Sequence, residues 1–421
     1  MDADFDRLLE EIRRGEVIIL NLRNKNIVDD GARALSTALM NRNNKVTTLN
    51  LYHNNIGEDG VSALSAALTN ENNKVITLEL SKNAIADEGA RSLSTALKNK
   101  NNKLTYLNLS SSNIGVDGVS ALSTALMSEN MRATTLILFN NNIGENGVKS
   151  LSTALMNENN KVSTLDLAWN AIGVEGLKCL SIALMHENNN VSTLNLSINR
   201  IEDDGVSALS NALMNENNKV TTLYLYHNNI GDDGARSLSL ALMNENNKVT
   251  TLDLFLNKIG DDGVKSFSTA LMNENNKVTT LNLMYNNIGS EGVKSLSTAL
   301  MNENNKVTEL NLLKNNIGTP GLAALLKSLR VSLMNHLEIG YQRGLNDEVE
   351  TRLGKFVRAF NLYIPSLVCL ASVRTIPRIG AQSPHFREMS SDLFIRVVQT
   401  LGWFIDYQET LRTLEDIDNG K

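Results

Sequence analysis

A Leu-x-Leu pair recurs every 29 residues, eleven times, from Leu20/Leu22 to Leu310/Leu312, without one insertion or deletion. A fixed period of this length encodes a stacked solenoid, in which each unit packs on its neighbours and the core grows linearly with the chain. The 421 residues therefore need not be divided into several globular cores.

The stretch Val46 to Lys74 shows how one unit is written. Val46-Thr47-Thr48-Leu49-Asn50-Leu51 alternates apolar and polar residues, as a strand with one buried face does. Gly60-Val61-x-x-Leu64-x-x-x-Leu68 then sets apolar residues at helical spacing, with Glu58 and Asp59 in the first turn where the helix dipole favours them. Asn70-Glu71-Asn72-Asn73 turns the chain back towards the next strand.

Across the eleven copies the Leu49, Leu51, Ile56, Gly60 and Leu68 positions do not vary, and the Leu64 position varies once, to Phe267. The Asn54 position is Asn except for Lys25 and Ser112, which suits an inward amide that satisfies backbone groups in the bend. The Gly57 position accepts Val28, Ala86 and Glu202, so it is not expected to demand a glycine conformation, whereas Gly60 is expected to allow a close backbone approach.

The pattern Leu-x-Leu-x-x-Asn-x-Ile, followed by a full helix, resembles the leucine-rich-repeat family, and the Gly-x-x-x-Leu-x-x-x-Leu helix resembles its ribonuclease-inhibitor subclass. The resemblance implies an α/β horseshoe solenoid with a parallel β-sheet on the concave face and α-helices on the convex face. The expected organisation is an N-terminal capping helix over residues 1–16, eleven repeats over 17–335, and a small all-α C-terminal segment over 336–421. Phe5, Leu8, Leu9 and Ile12, at i, i+3, i+4 and i+7, form the apolar side of the capping helix. Its Asp- and Glu-rich polar side argues against a membrane-surface helix.

Residues that alternate with the buried leucines face the concave surface: the Thr48, Asn50 and Tyr52 columns, with His53 at the rim. The Tyr52 and His53 columns vary most and hold large apolar groups. The candidate protein-binding residues are Tyr52, Tyr106, Phe139, Trp169, Ile198, Tyr224, Tyr226, His227, Phe255, Leu256, Met284, Tyr285 and Leu313. Exposed aromatic surface marks interfaces, and Tyr, Trp and Phe anchor binding energy. Drift after duplication would alter the Asn-rich turns as well, yet Met-Asn-Glu-Asn-Asn-Lys repeats verbatim at Met156–Lys161, Met243–Lys248, Met272–Lys277 and Met301–Lys306. That near-identity, with a short unrelated C-terminal segment, resembles leucine-rich-repeat effectors that intracellular bacteria deliver into host cells. It implies a host protein partner and export into host cytoplasm by a non-classical route.

No catalytic or metal-binding constellation is expected, and no cofactor. The five histidines are scattered. His53 and His227 share a repeat position six repeats apart, too far to share a metal. Gly57-x-x-Gly60 lacks the Lys-Ser/Thr of a phosphate loop. Cys179 and Cys369, the only cysteines, suit packed thiols in a reducing compartment rather than a disulfide framework. The net charge of −6, with no block of Lys and Arg, argues against nucleic acid, and no apolar run approaches a membrane span.

All four prolines fall within the last 102 residues, where the repeat fails. Helices are expected at Asn346–Phe360, Leu362–Val373, Asp392–Ile405 and Tyr407–Ile417, as a cap or small module. Met389-Ser390-Ser391-Asp392-Leu393, with Val397 and Leu401, resembles the start of an F-box, although Ser390 stands where that motif has proline. This second reading makes the chain an adaptor that recruits targets to a host ubiquitin ligase. A third, from fold and repeat number alone, is similarity to the activator of the nuclear-transport GTPase. The leading expectation is a non-enzymatic protein-binding module.

Overall fold

The computed structural model describes residues 3–328 and 336–339. The four helices expected after residue 345, the F-box-like stretch and Cys369 lie outside the described residues. The described chain falls into two compact units: residues up to Asn229 with Asn246–Val249, and Ile230–Glu245 with the described residues from Thr250 onward.

In the first unit, helix α1 (Ala3–Arg14) precedes seven strand–helix pairs: β1 (Ile19–Asn21), α2 (Asp29–Leu39), β2 (Thr48–Asn50), α3 (Glu58–Thr69), β3 (Thr77–Glu79), α4 (Ala86–Leu97), β4 (Tyr106–Asn108), α5 (Val116–Leu126), β5 (Thr135–Ile137), α6 (Gly144–Leu155), β6 (Thr164–Asp166), α7 (Gly173–Leu184), β7 (Thr193–Asn195) and α8 (Glu202–Leu213). Strand β8 (Thr222–Tyr224) completes it. Successive strands pair in parallel and in register, Leu20 beside Leu49 and Leu49 beside Leu78, and each helix packs on the next. The second unit repeats the scheme with α9 (Asp232–Leu242), β9 (Thr251–Asp253), α10 (Asp261–Leu271), β10 (Thr280–Asn282), α11 (Ser290–Leu300), β11 (Glu309–Asn311), α12 (Gly318–Ser328) and β12 (His336–Glu338). The α/β repeat solenoid with a parallel sheet is thus present in both units.

The repeat leucines are the core. Leu49, Leu51, Ile56, Val61, Leu64 and Leu68 are all buried, and Phe267 fills the Leu64 position without exposure. Truncating any such leucine to alanine costs about 2–5 kcal/mol, which explains why these columns are fixed. Helix α1 buries Leu9 and Ile12, leaves Phe5 and Leu8 half-buried, and packs on α2.

One boundary differs from the sequence reading. The ladder continues into His336–Glu338, a stretch assigned from sequence to the all-α segment, and β12 pairs with β11. Leu337 rather than Ile339 lies opposite Leu310, so this step is two residues shorter than the period, and Ile339 is buried. A search at fixed period cannot see a shortened last step.

Three polar devices join the repeats. The first is the buried Asn54 column. Nδ2 of Asn54 donates to the carbonyls of Leu22 and Leu51, both at 2.9 Å, and its Oδ1 accepts from the N–H groups of Ile27 at 2.9 Å and Lys25 at 3.1 Å. Asn83, Asn141, Asn170 and Asn199 repeat this bridge. Ser112 has too short a reach and turns its hydroxyl to the carbonyl of Ser110 at 3.2 Å.

The second device is a helix cap supplied by the preceding repeat. Asp29 Oδ1 accepts from the N–H groups of Gly57 at 2.7 Å and Gly60 at 3.1 Å, and Asp87 does the same for Gly115 and Gly118. In the second unit Asp232 holds Gly260 and Gly263, and Asp261 holds Gly289 and Gly292. Each Gly57-column residue held in this way is extended. Where the preceding repeat carries Glu58, Val116, Glu145, Val174 or Ser290 instead, the same column turns left-handed, at Ala86, Gly144, Gly173, Glu202 and Gly318. The expectation that this position makes no glycine-type demand therefore holds where an aspartate precedes it and at Val28 of the first repeat, which is extended, but not at the five left-handed positions. A Cβ at Gly60 would lie 2.5 Å from Asp29 Oδ1 and 2.7 Å from Ile56 Cγ2, which explains its invariance.

The third device lies in the Asn-rich turns. Asn73 is buried, with Nδ2 donating to the Leu68 carbonyl at 3.1 Å and Oδ1 accepting from the Val75 N–H at 2.9 Å. Asn72 Nδ2 reaches the Met40 carbonyl of the preceding repeat at 2.9 Å, and Lys103 Nζ reaches the Asn73 carbonyl at 2.7 Å.

Ala86 and Glu202 occupy left-handed backbone, at φ 49° and 58°. Ala86→Gly and Glu202→Gly should each stabilise the chain by about 0.5–1 kcal/mol, the relieved strain less the entropy of glycine. Asp87→Ala should instead cost about 1–2 kcal/mol through two uncapped N–H groups. Urea midpoints of the three variants measure both effects; a destabilised Ala86→Gly contradicts the assigned conformation.

Candidate protein-binding face

On each strand the middle leucine is buried and its neighbours are mostly half-buried on the face away from the helices. The Asn50 column shapes the bend at the end of most strands, Ile137 and Tyr224 being without the acceptor. Asn50 Oδ1 accepts from the Tyr52 N–H at 3.0 Å, and Asn108, Asn195, Asn282 and Asn311 accept from the residue two positions on. This local turn leads directly into the His53 column.

All eleven residues of that column have left-handed backbone: Asn24, His53, Lys82, Ser111, Asn140, Trp169, Ile198, His227, Leu256, Tyr285 and Lys314, with φ from 51° to 59°. Within each unit most of their N–H groups donate to a carbonyl of the next repeat, as His53 to Ser81 at 2.9 Å and Tyr285 to Leu313 at 2.8 Å. None is glycine. The residue types alone mark this column only as variable.

In the first unit two groups of face residues form. Tyr52 and His53 lie 5.7 Å apart between ring centroids, with the Arg23 guanidinium 4.6 Å and Lys82 Nζ 5.4 Å from the Tyr52 ring. Phe139 and Trp169 meet edge to face at 5.9 Å and 72°. Trp169 is 52% exposed, Ile198, Tyr224 and Tyr226 are half-buried, and His227 is exposed. Tyr106 stands at the start of β4, half-buried, between Thr77 and Thr135 and outside both groups.

In the second unit Phe255 and Tyr285 meet edge to face at 5.7 Å and 70°, and Lys314 Nζ lies 5.9 Å from the Tyr285 ring. Leu256 is 37% exposed, whereas Met284 and Leu313 are half-buried; the Asn311 amide approaches Met284 Sδ at 3.8 Å. Edge-to-face pairs contribute about 0.5–1.5 kcal/mol each beyond their burial, so these rings are partly spent on one another. The Tyr52 column is not uniformly open either: Ser81, Ala168 and Ser197 are buried.

The contrast drawn in the sequence between a variable face and constant turns needs correction. The turn asparagines are fixed by their own hydrogen bonds: Asn157 Oδ1 accepts from Asn159, Asn159 Nδ2 donates to the Met127 carbonyl, and Asn160 Oδ1 accepts from Val162. Their constancy has a packing cause and is no measure of drift.

Two carboxylates stand in the Asn50 column. Burial is the largest influence on Asp166 and raises its pKa, opposed by the N–H of Ala168 and the amide of Asn195; Asp253 is raised in the same way, opposed by Phe255 and Asn282. Burial, reinforced by the charge of Glu79, likewise raises the Tyr106 hydroxyl. Among the described residues no three His, Cys, Asp or Glu side chains gather as metal ligands, Cys179 is a half-buried free thiol, and no helix is long and apolar enough to cross a membrane.

The raised carboxylates set a pH dependence. Folded Asp166 keeps its proton to higher pH than the unfolded chain, so stability falls as pH rises from the ordinary aspartate range through the raised value. Asp166→Asn keeps the Oδ1 acceptor for Ala168 but sets an Nδ2 donor against the Asn195 amide, which donates to Oδ2 at 3.1 Å, so its deficit relative to wild type should be largest below that window and shrink above it. Urea midpoints at mildly acidic and neutral pH test this; a deficit that does not shrink towards neutral pH contradicts it.

The family model described as "Leucine Rich repeat" matches ten stretches, 42–65, 71–94, 100–123, 134–152, 158–181, 187–210, 216–239, 245–268, 274–297 and 303–326, over half of the chain. Comparison with curated protein sequences gives no match. Similar solved structures include an internalin from Listeria monocytogenes, at 19% identity and TM-score 0.42, over 79% of this chain and 89% of that one. Actin-binding site 2 of leiomodin-1 is similar at 20% identity and TM-score 0.32, over 41% and 95%. TLR13 in its complex with ssRNA13 is similar at 15% identity and TM-score 0.42, over 73% and 41%.

Proposed function

Since the chain belongs to the leucine-rich-repeat family, we propose that it is a non-enzymatic module that grips a protein partner on the face of its strands. The full helix in each repeat supports the ribonuclease-inhibitor-like subclass. The setting we propose is a bacterial effector acting on a host protein.

One observation carries the binding face. A non-glycine residue in left-handed backbone costs about 1–2 kcal/mol, least for Asn and most for bulky or β-branched side chains. The Gly57 column, when left-handed, is glycine at three of five positions; the His53 column is glycine at none of eleven. Stability alone favours Gly or Asn there, and only Asn24 and Asn140 conform. Trp169, Ile198, Leu256 and Tyr285 are instead held in a strained backbone that projects them from the face, and such strain is kept where function uses it.

Phe139→Ser with Trp169→Ser, and separately Phe255→Ser with Tyr285→Ser, should leave the fold intact and weaken partner capture more than about 30-fold, the effect of losing anchors worth about 2 kcal/mol or more. Ile182→Ser and Leu240→Ser, exposed apolar residues on helices at 58% and 56%, should change nothing. Affinity capture from host cytosol with all four proteins decides the reading. Face variants that retain the wild-type partner overturn it.

A further inference from the structure

We infer that the first three repeats carry a subsite for a carboxylate-bearing, acidic segment of the partner protein, centred on Arg23, Tyr52 and Lys82. The inference rests on the strand-face reading above and specifies what that face recognises at its N-terminal end.

Arg23 and Lys82 come from the first and third repeats and converge on one ring from the second. Both side chains are exposed, while Tyr52 is half-buried. A cation stacked on an aromatic face is positioned but keeps its N–H donors free for an anion in the plane beyond the ring. Among the described residues neither Arg23 nor Lys82 forms an ion pair; every pair found lies elsewhere. Arg7, Arg33 and Arg91 all have a carboxylate within 3.2 Å.

The carboxylate that this face carries on the adjoining strand is already occupied. Glu79 Oε1 accepts from the N–H of Ser81 at 2.8 Å and its hydroxyl at 2.5 Å, and Oε2 accepts from Asn108 Nδ2 at 2.7 Å. It is tied by neutral donors, leaving the cations to an outside partner. Lys82 also stands in left-handed backbone at φ 54°, where Gly or Asn would cost less. His53, at φ 52°, turns Nδ1 to Asn24 Oδ1 at 2.7 Å, which fixes the ring beside Tyr52.

The chemistry selects an acidic peptide over nucleic acid. The guanidinium fork matches a carboxylate with two parallel hydrogen bonds, and Lys82 supplies a second charge one repeat beyond the ring. Single-stranded nucleic acid needs successive aromatic platforms along a cationic track. Here one ring stands between two cations, Arg23 and Lys82, with the Glu79 carboxylate on the neighbouring strand, followed by Ser81, Ser110 and Ser111, on a chain of net charge −6. The patch gives a local attraction of opposite sign to the whole molecule, which steers and orients an acidic segment.

The test measures binding of a fluorescent short polyglutamate peptide to the full chain, beside oligothymidylate of equal charge, at low and raised salt. Polyglutamate should bind with an affinity that falls with salt, and Arg23→Ala with Lys82→Ala should weaken it about tenfold or more without altering the melting curve. Arg23→Lys should give an intermediate loss, since it keeps the charge and removes the fork. Phe139→Ser with Trp169→Ser should leave peptide binding unchanged, so this subsite and the wider face fail separately. No binding, binding indifferent to the double substitution, or tighter binding of oligothymidylate overturns the assignment.

Discussion

The Asn54 column is the interaction on which the rest depends. A solenoid of short strands and helices must bend the chain sharply beside its own core in every repeat, and each bend buries backbone groups. One amide meets four of them: two carbonyls, one in its own repeat and one in the preceding repeat, and two N–H groups in the preceding bend. A buried unpaired backbone group costs about 1–3 kcal/mol, so deleting one such side chain costs several kcal/mol, a loss the array accepts within its interior at Ser112. Leucines supply the driving force, and the amide ties each bend to the one before it.

That division explains what could be read from the sequence. Strand and helix assignments come directly from the columns of Leu49, Leu51, Leu64 and Leu68, because burial on one face produces a periodic pattern. The inward Asn54 and the close approach at Gly60 are legible for the same reason: invariance across copies marks a shared constraint. The terminal strand is hidden because its step is shortened. The Asn-rich turns mislead because a polar residue in a turn looks exposed until its partners are known; Asn73 and Asn160 are core residues in polar form.

The face is half legible. Alternation identifies which columns point away from the core, and Phe139, Trp169, Phe255 and Tyr285 do meet in pairs. The left-handed run at the His53 column leaves no mark in residue type, because its occupants are of almost every kind except the one that the conformation prefers. A backbone preference and a side-chain requirement conflict there, and only coordinates reveal such a conflict. The spared Arg23 and Lys82 are invisible for a related reason, since their meaning depends on Glu79 being engaged by Ser81 and Asn108.

The caps provided by Asp29, Asp87, Asp232 and Asp261 bear on how such arrays can be recombined. The conformation of each loop is written one period upstream, in a residue that belongs by sequence to a different copy. A segment cut from one Leu-x-Leu to the next carries its own loop but leaves the instruction for that loop behind. Grafted after Val116 or Glu58, a loop shaped by aspartate would change hand. The exchangeable cassette is therefore offset from the visible repeat, beginning at the acidic first turn of one helix and ending just before the next. Lineages that shuffle whole cassettes in that frame keep their loops, and those that cut at the leucines do not.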